Sequence, residues 1–168
     1  GTPQSEDTLI YERPDQKEWG FSGYVTEDGQ YLIISVWRGT DPKNLLFYKD
    51  LTDDNAEVIE LISDFEAQYS LIDNEGSIFW FRTDLDAPKG KVIAIDITNP
   101  DKANWQTLIP EAEETLESVG ILNNQFVADY LKDAYTQIKI FDLSGKYIRD
   151  VDLPGIGSAG GFNGKRMD

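Results

Sequence analysis

Adjacent carboxylates are the first residues in this chain able to do chemistry. Glu27-Asp28, Asp53-Asp54 and Glu113-Glu114 each set two acids side by side. Paired acids bind calcium or serve as the acid and base of glycoside hydrolysis. None of the three has the spacing of a calcium loop, with its glycine at the sharp turn and its closing bidentate Glu. The two acids of a glycosidase meet across a cleft rather than within one turn. All three pairs are therefore read as solvated turn acids. Asp50, Asp96 and Asp142 recur 46 residues apart. Recurrence at one structural position points to turn capping, because an Asp side chain accepts backbone N–H groups nearby. Gly155, Gly157, Gly160, Gly161 and Gly164 have the composition of a phosphate loop, but Lys165 is followed by Arg166 rather than Ser or Thr, and no helical pattern follows. Close packing of a strand accounts for them better.

The 168 residues include no histidine and no cysteine. A Ser-His-Asp triad, a Cys-His pair, a disulfide and a His- or Cys-ligated zinc cannot be built from them. The expectation is no catalytic residue, no metal site and no cofactor in this chain. Acidic residues number 31 against 15 basic, a formal charge of −16. A nucleic-acid partner is thereby disfavoured, since phosphate backbones are bound by cationic surfaces. No apolar run approaches the ~20 residues of a membrane span. A cytoplasmic location is expected, with the periplasm as the alternative. The polar start, Gly1-Thr2-Pro3-Gln4-Ser5, reads as a cut within a longer protein.

The elements that must position these residues are strands. Phe47–Leu51, Ile93–Ile97 and Lys139–Leu143 repeat one pattern, an alternating strand closing on Asp plus Leu or Ile and followed by a polar turn. A period in the 40s with strands in every copy indicates stacked four-stranded blades, since one such sheet cannot bury both faces alone. Strands are predicted at 23–26, 31–37, 44–51 and 57–62, then at 67–72, 77–83, 91–97 and 104–108, then at 116–121, 125–132, 136–143 and 147–151. Gly29, Gly76 and Asn124 fall at equivalent turns, and glycine tolerates the positive φ of such a hairpin. The expected fold is all-β: a partial β-propeller of about three four-stranded antiparallel blades (20–63, 64–110 and 114–152) with lone strands at 8–12 and 157–162. The whole is expected to form a single propeller fragment. Glu111–Leu116 is expected to be a loop or one helical turn. Trp37, Trp80 and Trp105 are expected to pack between blades, the usual fate of aromatics on buried strands.

In order along the chain, these residues resemble the propeller of the prolyl oligopeptidase family. The resemblance rests on Trp19 through Leu51, with Glu27-Asp28-Gly29-Gln30-Tyr31-Leu32-Ile33-Ile34-Ser35 and Arg38-Gly39-Thr40-Asp41-Pro42-Lys43-Asn44. It continues through Ile72-Asp73-Asn74-Glu75-Gly76, the loop from Thr83 to Pro88, Trp105 with Leu108-Ile109-Pro110, and Asp142-Leu143-Ser144-Gly145. It implies serine endopeptidases that cut short peptides after proline, with a Ser-Asp-His triad on a separate C-terminal α/β-hydrolase domain and a seven-bladed propeller that covers and gates it. This chain then corresponds to the middle portion of that propeller. Its implied partners are the hydrolase domain, the remaining blades and small proline-containing peptides. By position, Arg38, Trp37, Thr40 and Gly20 are candidates for lining the substrate cavity. Relatives carry an Arg and a bulky or sulfur-containing residue in these stretches, so the small Gly20 and Thr40 depart from the family pattern. For Arg38 the competing role is to anchor the Asp41-Pro42 turn. A non-catalytic propeller-type module that binds proteins or peptides is the alternative function. An arc of three blades leaves two faces open, so self-association is expected.

Overall fold

The computed structural model describes residues 3–153 and Arg166. Among the described residues twelve strands form three separate four-stranded antiparallel sheets, each a meander in chain order. The chain divides into two compact units, Gly1–Phe65 and Glu66–Asp168.

The first unit holds one sheet: β1 (Trp19–Val25), β2 (Tyr31–Arg38), β3 (Asn44–Asp50) and β4 (Ile59–Ile62). A short 3-10 turn, Gln4–Glu6, precedes it. The β1–β2 hairpin closes on Thr26, whose hydroxyl donates to Asp28 Oδ1 at 2.6 Å and accepts from the Tyr31 amide at 3.1 Å. Gly29 takes φ 75° there, a region open to glycine without steric cost. Both faces of β3 are covered: Leu45, Leu46, Phe47 and Tyr48 are all buried. On one face Ile34, Val36, Leu45 and Phe47 pack with Tyr11, Trp19 and Phe65.

The second unit holds two sheets. β5 (Tyr69–Glu75), β6 (Ile78–Thr83), β7 (Lys91–Asp96) and β8 (Gln106–Ile109) form one. β9 (Thr115–Leu122), β10 (Gln125–Lys132), β11 (Tyr135–Asp142) and β12 (Tyr147–Val151) form the other. They pack face to face through Trp80, Val92, Ile109, Leu116, Phe126, Ala128 and Tyr130. The Trp80 and Phe126 rings meet edge to face at 5.6 Å. Burying aromatics of this size contributes about 1.5–3 kcal/mol each. Polar links cross the same seam: Arg82 Nε donates to the Leu116 carbonyl at 2.8 Å, and the Leu116 amide donates to the Lys89 carbonyl at 2.7 Å.

Five differences from expectation stand out. Thr8–Glu12 forms no strand; Tyr11 instead lays its ring against Phe21 and Phe47. The segment alternates like a strand, but it is bound by side chains rather than by a ladder. β1 begins at Trp19, four residues before the expected start, because Gly20 and Ser22 look loop-like in sequence yet pair with Trp37 and Ser35. Trp37 is 42% exposed rather than packed between blades. Trp105 is half-buried, with its indole N–H donating to the Pro100 carbonyl at 2.8 Å. Asn104, expected to open a strand, ends the 3-10 turn Lys102–Asn104. The lone strand expected at 157–162 lies outside the described residues.

Candidate functional site

The four candidate lining residues gather at one end of the first unit, where β1 starts and the β2–β3 loop turns. In the β1–β2 ladder Gly20 pairs with Trp37, and Trp19 pairs with Arg38. Cross-strand partners share a face, and neighbours along a strand do not. The register therefore splits the candidates. Trp37 lies over Gly20 so closely that a Cβ built on Gly20 would overlap the indole. Glycine here is the condition for the ring to lie flat, and it leaves the outer face of Trp37 exposed. Thr40 follows in the turn, also exposed.

Arg38 sits on the opposite face. Its guanidinium lies over the Phe65 ring, 4.4 Å from the centroid, and its Nη2 donates to Asp41 Oδ2 at 3.1 Å. Asp41 Oδ1 accepts from the Lys43 amide at 3.0 Å. That backbone bond, with Arg38 second, holds the Asp41 carboxyl below its ordinary range. Arg38 thus fastens the Asp41-Pro42 turn to the sheet. Phe65, the partner that fixes it, carried no signal in sequence, being remote from Arg38 along the chain. Trp19 meets the edge of the same Phe65 ring at 5.7 Å, and Arg13 covers Trp19 at 4.8 Å. The chemistry available at this corner is binding rather than catalysis: an exposed indole face, a hydroxyl and a cation that is already engaged.

Six of the other acids have local partners. Asp50 Oδ1 accepts from the amide and hydroxyl of Thr52, at 2.8 and 2.6 Å. Asp96 Oδ1 does the same with Thr98, at 3.0 and 2.7 Å. Asp142 Oδ1 accepts from the Ser144 amide and hydroxyl and from the Lys146 amide. The three recurrent aspartates are the turn caps that their spacing predicts. Asp28 accepts from the Gln30 amide and Asp53 from the Asn55 amide. Glu114 bridges Lys132 at 3.3 Å and Lys139 at 3.5 Å. Asn124 takes φ 53° at the turn equivalent to Gly76, at φ 55°. Hollows open on the surface among the described residues. One of 200 Å³ in the first unit is lined by Tyr11, Phe21, Leu32 and Ile34. Two in the second unit have volumes of 380 and 420 Å³. The first of these lies beside Trp80 and Glu75, and the second beside Tyr130 and Lys139.

Three meandering four-stranded sheets, each closing its third strand on the same aspartate-capped turn, define the chain as part of a β-propeller. A family model, prolyl oligopeptidase, N-terminal β-propeller domain, matches residues 1–168. The chain belongs to that family. It is 38% identical over 168 residues to a prolyl endopeptidase of Elizabethkingia miricola, covering 100% of this chain and 23% of the relative. It is 31% identical over 164 residues to prolyl oligopeptidase A of Galerina marginata, covering 95% of this chain and 22% of that protein. A solved prolyl endopeptidase structure superposes with TM-score 0.87 at 37% identity, over 96% of this chain and 24% of the other. Prolyl oligopeptidase B of Galerina marginata superposes with TM-score 0.90 at 28% identity, over 100% and 24%. The chain thus spans about a quarter of the length of the relatives it matches.

Proposed function

We propose that this chain is a section of the propeller of a prolyl oligopeptidase-type serine endopeptidase. In this reading it does no bond-breaking itself; in a longer protein it covers and gates a separate α/β-hydrolase domain that cuts short peptides after proline. The observation that carries the proposal is the family match along all 168 residues of a chain that contains no histidine. A triad of the Ser-His-Asp kind needs an imidazole as its base, so that base must lie elsewhere. Within this section the substrate-facing surface is the exposed indole of Trp37 laid on Gly20, with Thr40 beside it in the loop. Arg38 supports that surface by holding the turn. An aromatic face with a neighbouring hydroxyl suits apolar peptide side chains and the flat ring of proline.

The test uses the protein at its natural length and a fluorogenic peptide with an internal proline. Trp37→Ala is expected to raise KM roughly 3- to 10-fold with little change in kcat, the signature of lost uniform binding. An unchanged KM removes Trp37 from the substrate path. The 168-residue chain alone is expected to leave the same peptide uncut, and turnover by it would overturn the placement of catalysis elsewhere. On its own the chain is also proposed to self-associate. Among the described residues β1 pairs on one side only, and its Phe21, Tyr24 and Val25 are exposed.

A further inference from the structure

Arg166 is held by a set of groups that no part of the peptidase reading requires. Its Nε donates to Asn124 Oδ1 at 2.8 Å, its Nη1 donates to the Asn74 carbonyl at 3.2 Å, and its Nη2 is paired with Glu75 Oε1. The guanidinium lies over the Trp80 ring, 5.6 Å from the centroid. The Arg166 carbonyl accepts from the Asn124 amide at 3.0 Å, which fixes the residue's backbone as well. All three guanidinium nitrogens thus have separate oxygen acceptors, and the cation rests on the best of the aromatic faces for such contact.

The acceptors come from both sheets of the second unit. Asn74 and Glu75 close β5 at the β5–β6 turn, and Trp80 is buried on β6. Asn124 stands in the β9–β10 turn, held at φ 53° with its side chain aimed back at the seam. Trp80 and Glu75 also line the neighbouring 380 Å³ hollow, whose floor is Ile78, Ala94, Leu108 and Leu143. A planar fork of donors satisfies this arrangement, and a lysine ammonium does not.

We propose that Asn74, Glu75, Trp80 and Asn124 form a guanidinium receptor across the junction of two blades, filled from the same chain by Arg166. Filled, the site fixes Arg166 on the β5–β8/β9–β12 seam. Emptied of Arg166, it binds a small free guanidinium ion, with the adjoining hollow leaving room for a short alkyl stem. The proposal does not depend on the peptidase reading.

The experiment is chemical rescue of Arg166→Ala in the protein at its natural length. The variant is expected to lose roughly 2–4 °C in the melting transition of the domain holding this seam. Methylguanidinium is expected to restore that loss saturably, with a midpoint on the order of millimolar, as suits so small a ligand. Methylammonium at equal concentration is expected not to. Arg166→Lys should behave as Arg166→Ala does. Adding Asn124→Gly, which tolerates the positive φ but deletes one acceptor, should weaken the methylguanidinium midpoint roughly tenfold. A variant as stable as wild type, a response that does not saturate, or equal rescue by methylammonium overturns the proposal. Should Arg166→Ala fail to fold, hydrogen exchange at Arg166 Hε in otherwise wild-type protein decides. Slow exchange that speeds roughly tenfold in Asn124→Gly supports the receptor, and fast exchange in wild type overturns it.

Discussion

A single carboxylate oxygen does most of the work at each recurrent turn. Asp50 and Asp96 each serve two donors from the residue two positions on, a threonine in both cases. Asp142 serves three, adding the Lys146 amide at 3.0 Å. Bonds from Thr52, Thr98 and Ser144 are the first causes that hold these three carboxyls below their ordinary range. A depressed folded-state pKa stabilises fully above the unfolded value of about 3.9 and is lost as pH falls through the folded value. The acid limb of stability should therefore lie below about pH 4 for these turns, with neutral pH on the plateau. Asp142→Ala is expected to lower the melting temperature roughly 2–4 °C at neutral pH, more than Asp50→Ala or Asp96→Ala. Asp142→Asn keeps an acceptor oxygen, so it should retain part of the neutral-pH stability and flatten the acid limb. Melting curves across the acid range check both, and equal losses at the three positions would show that the third bond adds nothing.

At the scale of the element, register decides what sequence alone conveys. β10 and β12 begin and end where alternation predicts, and the turn glycines Gly29 and Gly76 have the expected positive φ. These are local signals, a two-residue period and a backbone conformation that few residues adopt. The opposed faces of Trp37 and Arg38 were equally legible, since neighbours in a strand alternate, but positional resemblance grouped them as one lining. The indole on Gly20 was not legible, because it depends on a register set by the Thr26–Asp28 turn. Nor was the meeting of Arg166 with Trp80, which depends on how two sheets pack. Packing also governs Gly145. It has φ 86°, and a Cβ there would overlap the Leu108 backbone. Gly145→Ala is expected to cost about 3 kcal/mol, combining left-handed strain with a clash that rigid backbone cannot relieve. The opposite outcome is expected at the β10–β11 turn, where Asp133 and Ala134 take φ 46° and 69°. Ala134→Gly should stabilise by about 0.5–1 kcal/mol. Denaturant titration of the two variants measures both signs, and a stable Gly145→Ala would mean that the β11–β12 turn does not press on β8.

For the whole chain two long-range effects oppose each other. A formal charge of −16 on 168 residues repels any second copy and also strains the folded state. Against it stand the one-sided pairing of β1 among the described residues and the exposure of Phe21, Tyr24 and Val25, which invite strand addition. Salt separates the two, because ions screen exposed charge over about 10 Å at 0.1 M and leave apolar contact and strand pairing in place. Raising ionic strength from about 0.01 M to about 0.15 M is expected to raise the melting temperature and to shift the isolated chain toward dimers or larger species in sedimentation velocity. Association through complementary charge would weaken over the same range, so the sign of the salt effect identifies the force. Tyr24→Lys places a cation on the β1 edge, where a lysine blocks edge-to-edge pairing at the cost of an exposed ring. That variant should stay monomeric at the higher ionic strength while keeping the salt-induced rise in melting temperature. If it associates as readily as the wild type, the contact does not run through β1.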